Sequence, residues 1–122
     1  MKKLVELEYL FHTSPKILFP RLSTSNGLMG WFADKVQQEK DIFVFYWDKI
    51  SHSARQVQLI ENVSVRYVWL DESGYFEFKV SYNEMTGMTT LWVREYTDED
   101  EVETATELWN AQVARLRRML GC

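Results

Sequence analysis

Hydrophobic and polar residues alternate along the first part of the chain. Between residues 4 and 11, apolar or aromatic side chains fall on every second position, and Glu6 and Glu8 occupy positions between them. Successive side chains of a strand point to opposite faces. This period of two therefore predicts a first strand with one buried face.

Two short helices are expected after this strand. Ser14 is suited to cap a helix, and Pro15 is suited to the first helical position, where no amide donor is needed. This helix should end near Pro20. The polar segment 23–26 offers a second cap in front of the apolar group at 28–32.

A meander of six antiparallel strands is predicted for the middle of the chain. No proline occurs from residue 35 to residue 97, and short apolar or alternating runs are separated there by polar residues. The predicted strands are 35–39, 42–48, 55–61, 64–70, 75–82 and 88–97.

A long amphipathic helix is expected at the end of the chain. The acidic run 98–101 suits a first helical turn, because acidic side chains stabilise the positive end of the helix dipole. A helix of about 20 residues, ended by Gly121, would cross a whole small sheet. Its apolar stripe consists of Val102, Ala105, Trp109, Gln112 or Val113, Leu116 and Leu120.

Two local sequences, HTSPKILF at 12–19 and LMGWFAD at 28–34, resemble the opening signature of the START-like superfamily, also called SRPBCC or helix-grip proteins. The pattern is most similar to the branch related to the heat-shock ATPase activator. Members of that branch have an apolar residue three after the proline and a Trp-Phe pair before the second strand. Leu18, Trp31 and Phe32 stand at these positions.

The element order and the resemblance together predict an α+β, helix-grip fold. It is a curved antiparallel sheet of about seven strands, with two short helices after the first strand and the long C-terminal helix across its concave face. The resemblance implies a cavity between sheet and helix for lipid-like or aromatic apolar molecules. It does not fix an activity, because the superfamily includes carriers, sensors, cyclases, hydrolases and co-chaperone modules.

Composition predicts one domain over residues 1–122 that folds without cross-links. Hydrophobic residues make up 46% of the chain, and five tryptophans, six tyrosines and seven phenylalanines supply a large area for burial. The lone cysteine, Cys122, allows no internal disulfide and no cysteine-rich metal site. This usage favours a reducing, cytoplasmic location.

The charge balance and the absence of long apolar runs exclude several kinds of partner. A net charge of −4 repels phosphate backbones, so no nucleic-acid partner is expected. Nowhere do about 18 apolar residues follow one another, so no membrane span is predicted. The first residues lack the apolar run of an export signal.

One set of aromatic and aliphatic side chains should point toward the predicted last helix. These residues would line a ligand cavity or form a plain core, and the sequence leaves both interpretations open. The candidates are Tyr9, Phe11, Phe32, Phe43, Phe45, Trp47, Tyr67, Trp69, Phe76, Phe78, Leu91, Trp109, Val113 and Leu116.

Some strands are apolar on their second face as well. Tyr46, Trp92 and Tyr96 should face outward, where they would contact a protein partner or a second copy of the chain. Coverage by a loop or by the short helices is the alternative.

Catalytic chemistry finds little support in the sequence. His12 and His52 fall in predicted turns, where solvent-facing histidines are common, and Glu77, Glu84 and Glu95 would meet only if the strand register brought them together. No glycine-rich phosphate loop and no metal-ligand spacing occurs. We therefore predict no catalytic residue, no metal and no cofactor, and expect a protein that is not an enzyme.

Three functions remain after these considerations. The first is a binding module for an apolar small molecule, and the second is a co-chaperone-like interaction domain with a filled core. A small cyclase or hydrolase is the third.

Overall fold

The computed structural model describes residues 1–122, and its seven strands form one antiparallel sheet. The sheet order is β1-β7-β6-β5-β4-β3-β2, so the first strand pairs with the last one. The predicted α+β architecture is confirmed. The strands are β1 (Lys2–Phe11), β2 (Lys35–Glu39), β3 (Ile42–Trp47), β4 (Ile50–Ile60), β5 (Ser64–Trp69), β6 (Tyr75–Asn83) and β7 (Met88–Asp98).

The fourth strand begins earlier than the sequence predicts. It starts at Ile50, which lies directly opposite Trp47, whereas the predicted strand starts at residue 55. Two residues suffice for the turn because Asp48 adopts a positive φ of 51°. The polar residues 51–53 look like a turn in the sequence, but their backbone pairs with β3.

Three helices of one turn each follow β1, where two were predicted. They are α1 (Pro15–Leu18), α2 (Pro20–Ser23) and α3 (Ser25–Leu28). Thr24 caps α3, since its Oγ1 accepts a hydrogen bond from the Gly27 amide at 2.9 Å. A Cβ at Gly27 would lie 1.8 Å from the Pro20 carbonyl oxygen, so only glycine lets α3 approach α2 this closely.

The last helix, α4 (Val102–Leu120), packs its buried face on the sheet. A short 3₁₀ turn, Glu99–Glu101, carries the acidic residues in front of it, and Gly121 ends it. The sequence left Gln112 and Val113 as alternatives, and both are buried, at 3% and 1% exposure. Trp109 and Leu116 are the other buried residues of α4, as the stripe predicts.

The two ends of the chain are held together by the β1–β7 pair and by α4. The Met1 carbonyl oxygen accepts a hydrogen bond from the Glu99 amide at 2.9 Å. On the far end of β1, the guanidinium of Arg117 donates to the Leu10 carbonyl oxygen. None of the helices combines the length and the apolar character that crossing a membrane would require.

Candidate functional site

The space between α4 and the sheet is occupied by aromatic side chains of the protein itself. Phe32, which follows α3, lies at its centre. Its ring centroid lies 4.9 Å from those of Phe45 and Phe76 and 5.5 Å from those of Trp47 and Trp109. Such close contacts are typical of a packed core and leave no room for a ligand beside Phe32.

The structure brings the predicted cavity-lining residues to this one face of the sheet. Three of them, Tyr9, Trp47 and Trp69, are only partly buried and lie around the margin of the core. The others are buried in the core: Phe11, Phe32, Phe43, Phe45, Tyr67, Phe76, Phe78, Leu91, Trp109, Val113 and Leu116.

An apolar hollow opens at the margin of this core, between the sheet and α4. Its volume is about 430 Å³, and its walls are Trp47, Ile50, His52, Trp69 and Leu108. Ile50 and Leu108 are 60% and 54% exposed, so the apolar surface meets solvent. We take this hollow as the candidate site.

Strand pairing explains how these residues meet. Trp47 ends β3 and lies opposite Ile50 at the start of β4, and Trp69 ends β5 opposite Ala54. Because alternate residues of a strand share a face, His52 points to the same side as Ile50 and Ala54. The indole N–H of Trp47 donates to the Phe32 carbonyl oxygen at 2.7 Å, which fixes that wall of the hollow to the core.

His52 is the polar group of the hollow. Its ring centroid lies 6.0 Å from that of Trp47 and 5.9 Å from that of Trp69. Its Nδ1 lies 3.2 Å from Oδ2 of Asp71, in the turn after β5, and the Ser53 amide donates to the same oxygen at 3.3 Å. The imidazole is thus held between two indoles by a carboxylate from a neighbouring turn.

A family model described as the START-like superfamily domain matches residues 1–122. The chain belongs to the START-like superfamily. This START-like chain is 39% identical to BfR322 from Bacteroides fragilis, known from a solution NMR structure. That match covers 98% of this chain and 91% of that chain, with a TM-score of 0.68.

Two further solved structures share the START-like fold at lower identity. MLL2253 from Mesorhizobium loti is 16% identical, has a TM-score of 0.84, and the match covers 98% of this chain and 97% of that chain. The Aha1 dimer from Colwellia psychrerythraea is also 16% identical, with a TM-score of 0.76 and coverage of 93% and 92%. No sequence among the curated proteins matches this START-like chain.

The two tyrosines on the core side of the START-like sheet bond to the protein itself. The Tyr67 hydroxyl donates to the Leu22 carbonyl oxygen at 2.7 Å and accepts from Nε2 of Gln56 at 3.2 Å. Burial raises the pKa of Tyr67 above its usual value, so this hydroxyl keeps its proton. The Tyr9 hydroxyl donates to Oδ1 of Asn110 at 2.6 Å, and burial also raises its pKa.

The three glutamates that a suitable strand register would have brought together do not converge, and Glu84 lies in the turn between β6 and β7. Glu77 faces the outer side of the sheet, where it lies 2.8 Å from Nε of Arg66. Glu95 faces the core and accepts a hydrogen bond from the Trp109 indole at 2.8 Å. Burial raises the pKa of Glu95, and the hydrogen bond from Trp109 partly offsets this effect.

The outward aromatics do not form one continuous stripe. Tyr46 lies on β3 and Trp92 and Tyr96 lie on β7, and three strands separate β3 from β7. The Tyr46 hydroxyl donates to Oε1 of Gln37 at 2.8 Å. Tyr96 is 39% exposed and stacks on Tyr75 with ring centroids 5.9 Å apart.

Most residues that line the other hollows of the surface are not hydrophobic. The largest, of about 680 Å³, lies beside the β2–β3 turn. Water hydrates polar walls well. Binding an apolar ligand in this hollow would therefore release less free energy than binding it between apolar walls. Its walls are Gln37, Gln38, Glu39, Lys40, Asp41, Ile42, Val44 and Arg55. No three His, Cys, Asp or Glu side chains are grouped so that they could hold a metal ion.

Three residues that line the candidate site were not among the predicted ligand-binding residues: Ile50, His52 and Leu108. The prediction of His52 as a turn residue is wrong, since it lies within β4. The alternation of Ile50, His52 and Ala54 with two serines was a signal for a strand. Leu108 carried no such signal, because it lies beside the predicted stripe of α4 rather than on it.

Proposed function

We propose that this START-like chain is a binding module for a small apolar molecule and that the ligand occupies the marginal hollow rather than the packed interior. The observation that carries the proposal is the pair of indole rings, Trp47 and Trp69, facing solvent on either side of His52. Small-molecule sites generally measure about 300–1,000 Å³ and combine apolar walls with few polar groups. The hollow, at about 430 Å³ with one polar side chain among its walls, fits both criteria.

The proposal treats residues 1–122 as one binding unit and places it in the cytoplasm. The match of the family model to residues 1–122 supports the first point. The lone cysteine, which forms no disulfide, supports the second.

The five indole N–H signals in a proton–nitrogen NMR spectrum test this proposal directly. Titration with a panel of fatty acids and naphthalene-sized aromatics should shift the signals of Trp47 and Trp69. The signal of Trp92, which lies on the outer face of β7, should not move. Shifts confined to Trp92, or no shift for any compound up to its solubility limit, would refute the proposal.

A matched pair of variants locates the site. Ile50 and Ile60 lie at opposite ends of β4 and are 60% and 55% exposed. Ile50→Lys puts a charge into the hollow and should weaken binding at least tenfold, because burying an unpaired ammonium under a ligand is costly. Ile60→Lys should leave the affinity unchanged, and equal effects of the two variants would place the ligand elsewhere.

A protein-interaction domain is the second candidate, and the filled interior around Phe32 favours it. The Aha1 neighbour is a dimer, and the exposed face of Tyr96 offers this chain an apolar surface for a contact. Analytical ultracentrifugation separates the candidates. A stable dimer that Tyr96→Ser dissociates, together with no ligand shift at Trp47 and Trp69, would support this second function.

A further inference from the structure

Asp71 determines which nitrogen of His52 carries the proton. At neutral pH an aspartate accepts hydrogen bonds and donates none. Oδ2 of Asp71 lies 3.2 Å from Nδ1 of His52, so the hydrogen of the neutral imidazole is on Nδ1. The Ser53 amide donates to Oδ2, and the Leu70 amide donates to the Ser53 carbonyl oxygen at 2.9 Å, which holds the turn of Asp71 beside β4.

The second ring nitrogen, Nε2, is left as an unused acceptor. It makes no hydrogen bond within the protein, and no buried side-chain nitrogen or oxygen lacks a partner. Nε2 therefore lies at the surface, on a residue whose side chain is 37% exposed and lines the hollow. In the neutral imidazole with Nδ1 protonated, Nε2 has a lone pair and no hydrogen.

The charges around the hollow disfavour an anionic ligand. None of its walls is a lysine or an arginine. The carboxylate of Asp71 lies against the His52 ring, and the whole chain has a net charge of −4. A carboxylate or phosphate on the ligand would find no cationic partner among these walls and would be repelled by Asp71.

On the basis of the function proposed above, we propose that the ligand is a neutral, flat apolar compound with a hydroxyl group that donates a hydrogen bond to Nε2 of His52. The two indoles contact the apolar body, and the imidazole between them selects the hydroxyl. The His52–Asp71 pair is a specificity determinant rather than a stabilising one. Half-exposed hydrogen-bonded pairs of this kind add little to folding.

Three probes of equal ring size test the inference: 2-naphthol, 2-methylnaphthalene and 2-naphthoate. One added hydrogen bond should make 2-naphthol bind about 3- to 10-fold more tightly than 2-methylnaphthalene. The 2-naphthoate anion should bind most weakly. If 2-naphthol and 2-methylnaphthalene bind equally, or if 2-naphthoate binds best, this inference is overturned while the proposed function stands. If none of the three binds while other compounds of the panel shift the signals of Trp47 and Trp69, only this inference is overturned. If the whole panel is silent as well, both are overturned.

Two variants assign the preference to the imidazole. His52→Phe keeps an aromatic ring between the indoles and removes Nε2, so the ratio of the 2-naphthol and 2-methylnaphthalene affinities should fall to about 1. In Asp71→Asn the proton of the neutral His52 imidazole can occupy either ring nitrogen. This variant should therefore lower the ratio of the two affinities, but less than His52→Phe does. His12→Phe, at the exposed histidine between β1 and α1, is the control and should keep the ratio of the native chain.

The ratio of the two affinities distinguishes ligand recognition by His52 from a purely structural role. A loosened fold would weaken the binding of both compounds to a similar extent and leave the ratio unchanged. A native ratio retained in both His52→Phe and Asp71→Asn would overturn the inference. The nitrogen chemical shifts of the His52 ring give a second measurement, and they should show the proton on Nδ1 in the native chain. A proton on Nε2 in the native chain would also overturn it.

Discussion

Glu95 is a carboxylate placed among apolar neighbours on the core side of β7. It lies opposite Val5 of β1 and Phe76 of β6, and the Trp109 indole donates to it. Burial disfavours the charged form, so the pKa of Glu95 in the folded chain is raised. A carboxyl whose pKa is higher in the folded than in the unfolded chain stabilises the fold most at low pH. This stabilisation is lost as the pH rises from the unfolded-state pKa through the folded-state pKa. Glu95 therefore contributes less to the stability of the fold at neutral pH than at low pH.

Glu95→Gln should stabilise the protein at neutral pH. The amide is uncharged, and its oxygen can still accept the hydrogen bond from Trp109. We expect a melting temperature higher by a few degrees near about pH 7 and a difference that shrinks toward about pH 3, where the carboxyl is mostly protonated in both states. Thermal melts followed by circular dichroism at both pH values measure this.

Glu8→Gln is the matched control for this prediction. Glu8 is exposed on the outer side of β1 and takes part in no ion pair, so its substitution should change the melting temperature little at either pH. A Glu95→Gln variant that melts below the native chain near about pH 7 would show that the charge of Glu95 stabilises the fold.

Among the helices and strands, α4 joins the short helices and the sheet into one core. The Trp109 ring stacks on Phe32 at 5.5 Å and meets Phe78 edge-on at 5.7 Å. Gln112 donates from Nε2 to the Phe32 carbonyl oxygen at 2.8 Å. Phe32 is therefore held by α4 through both its ring and its backbone.

Trp109→Ala should destabilise the fold by about 3–5 kcal/mol, because it removes a ring that is 4% exposed and leaves a cavity against Phe32. Chemical denaturation measures the change in the free energy of unfolding. Leu108→Ala, one residue earlier and 54% exposed, should cost less than about 1 kcal/mol. A loss below about 1 kcal/mol for Trp109→Ala would contradict the assigned packing of α4.

The strongly periodic elements were predictable from the sequence, and those defined by distant partners were not. β1, β7 and α4 follow from spacing, because each has one face that the core must bury. The start of β4 could not be predicted from spacing, because residues 51–53 are polar and enter the sheet through backbone hydrogen bonds with β3. Phe32 was placed in an apolar group, but its position at the centre of the core depends on strands and on α4 that lie far from it in the sequence.

The candidate site was predictable only in part, for the same reason. Trp47 and Trp69 were assigned to the inner face from the alternation of their strands. Their exposure depends on how far α4 extends across the sheet, which periodicity does not determine. The contact of His52 with Asp71 depends on the register of β4 and β5, so no local pattern showed it.

At the scale of the whole molecule, 22 buried hydrophobic residues form a single cluster, to which all four helices and all seven strands contribute. A single core of this kind predicts two-state unfolding. Circular dichroism reports the sheet and helices, and tryptophan fluorescence reports the environment of the five indoles, which are spread over the chain. The two thermal transitions should coincide, and an earlier fluorescence transition would indicate a separately unfolding part.

The pairing of β1 with β7 has a consequence for how the protein is made. β1 leaves the ribosome before the other six strands of the sheet, yet its only neighbour in the sheet is β7. Until β7 and α4 have been synthesised, the apolar side of β1 has no native surface to cover it, because non-local strand pairing waits for distant residues. Nascent chains that end before residue 88 should therefore engage chaperones that hold exposed strands. Translation of residues 88–120 then lets the sheet edge, the closing helix and the core form together.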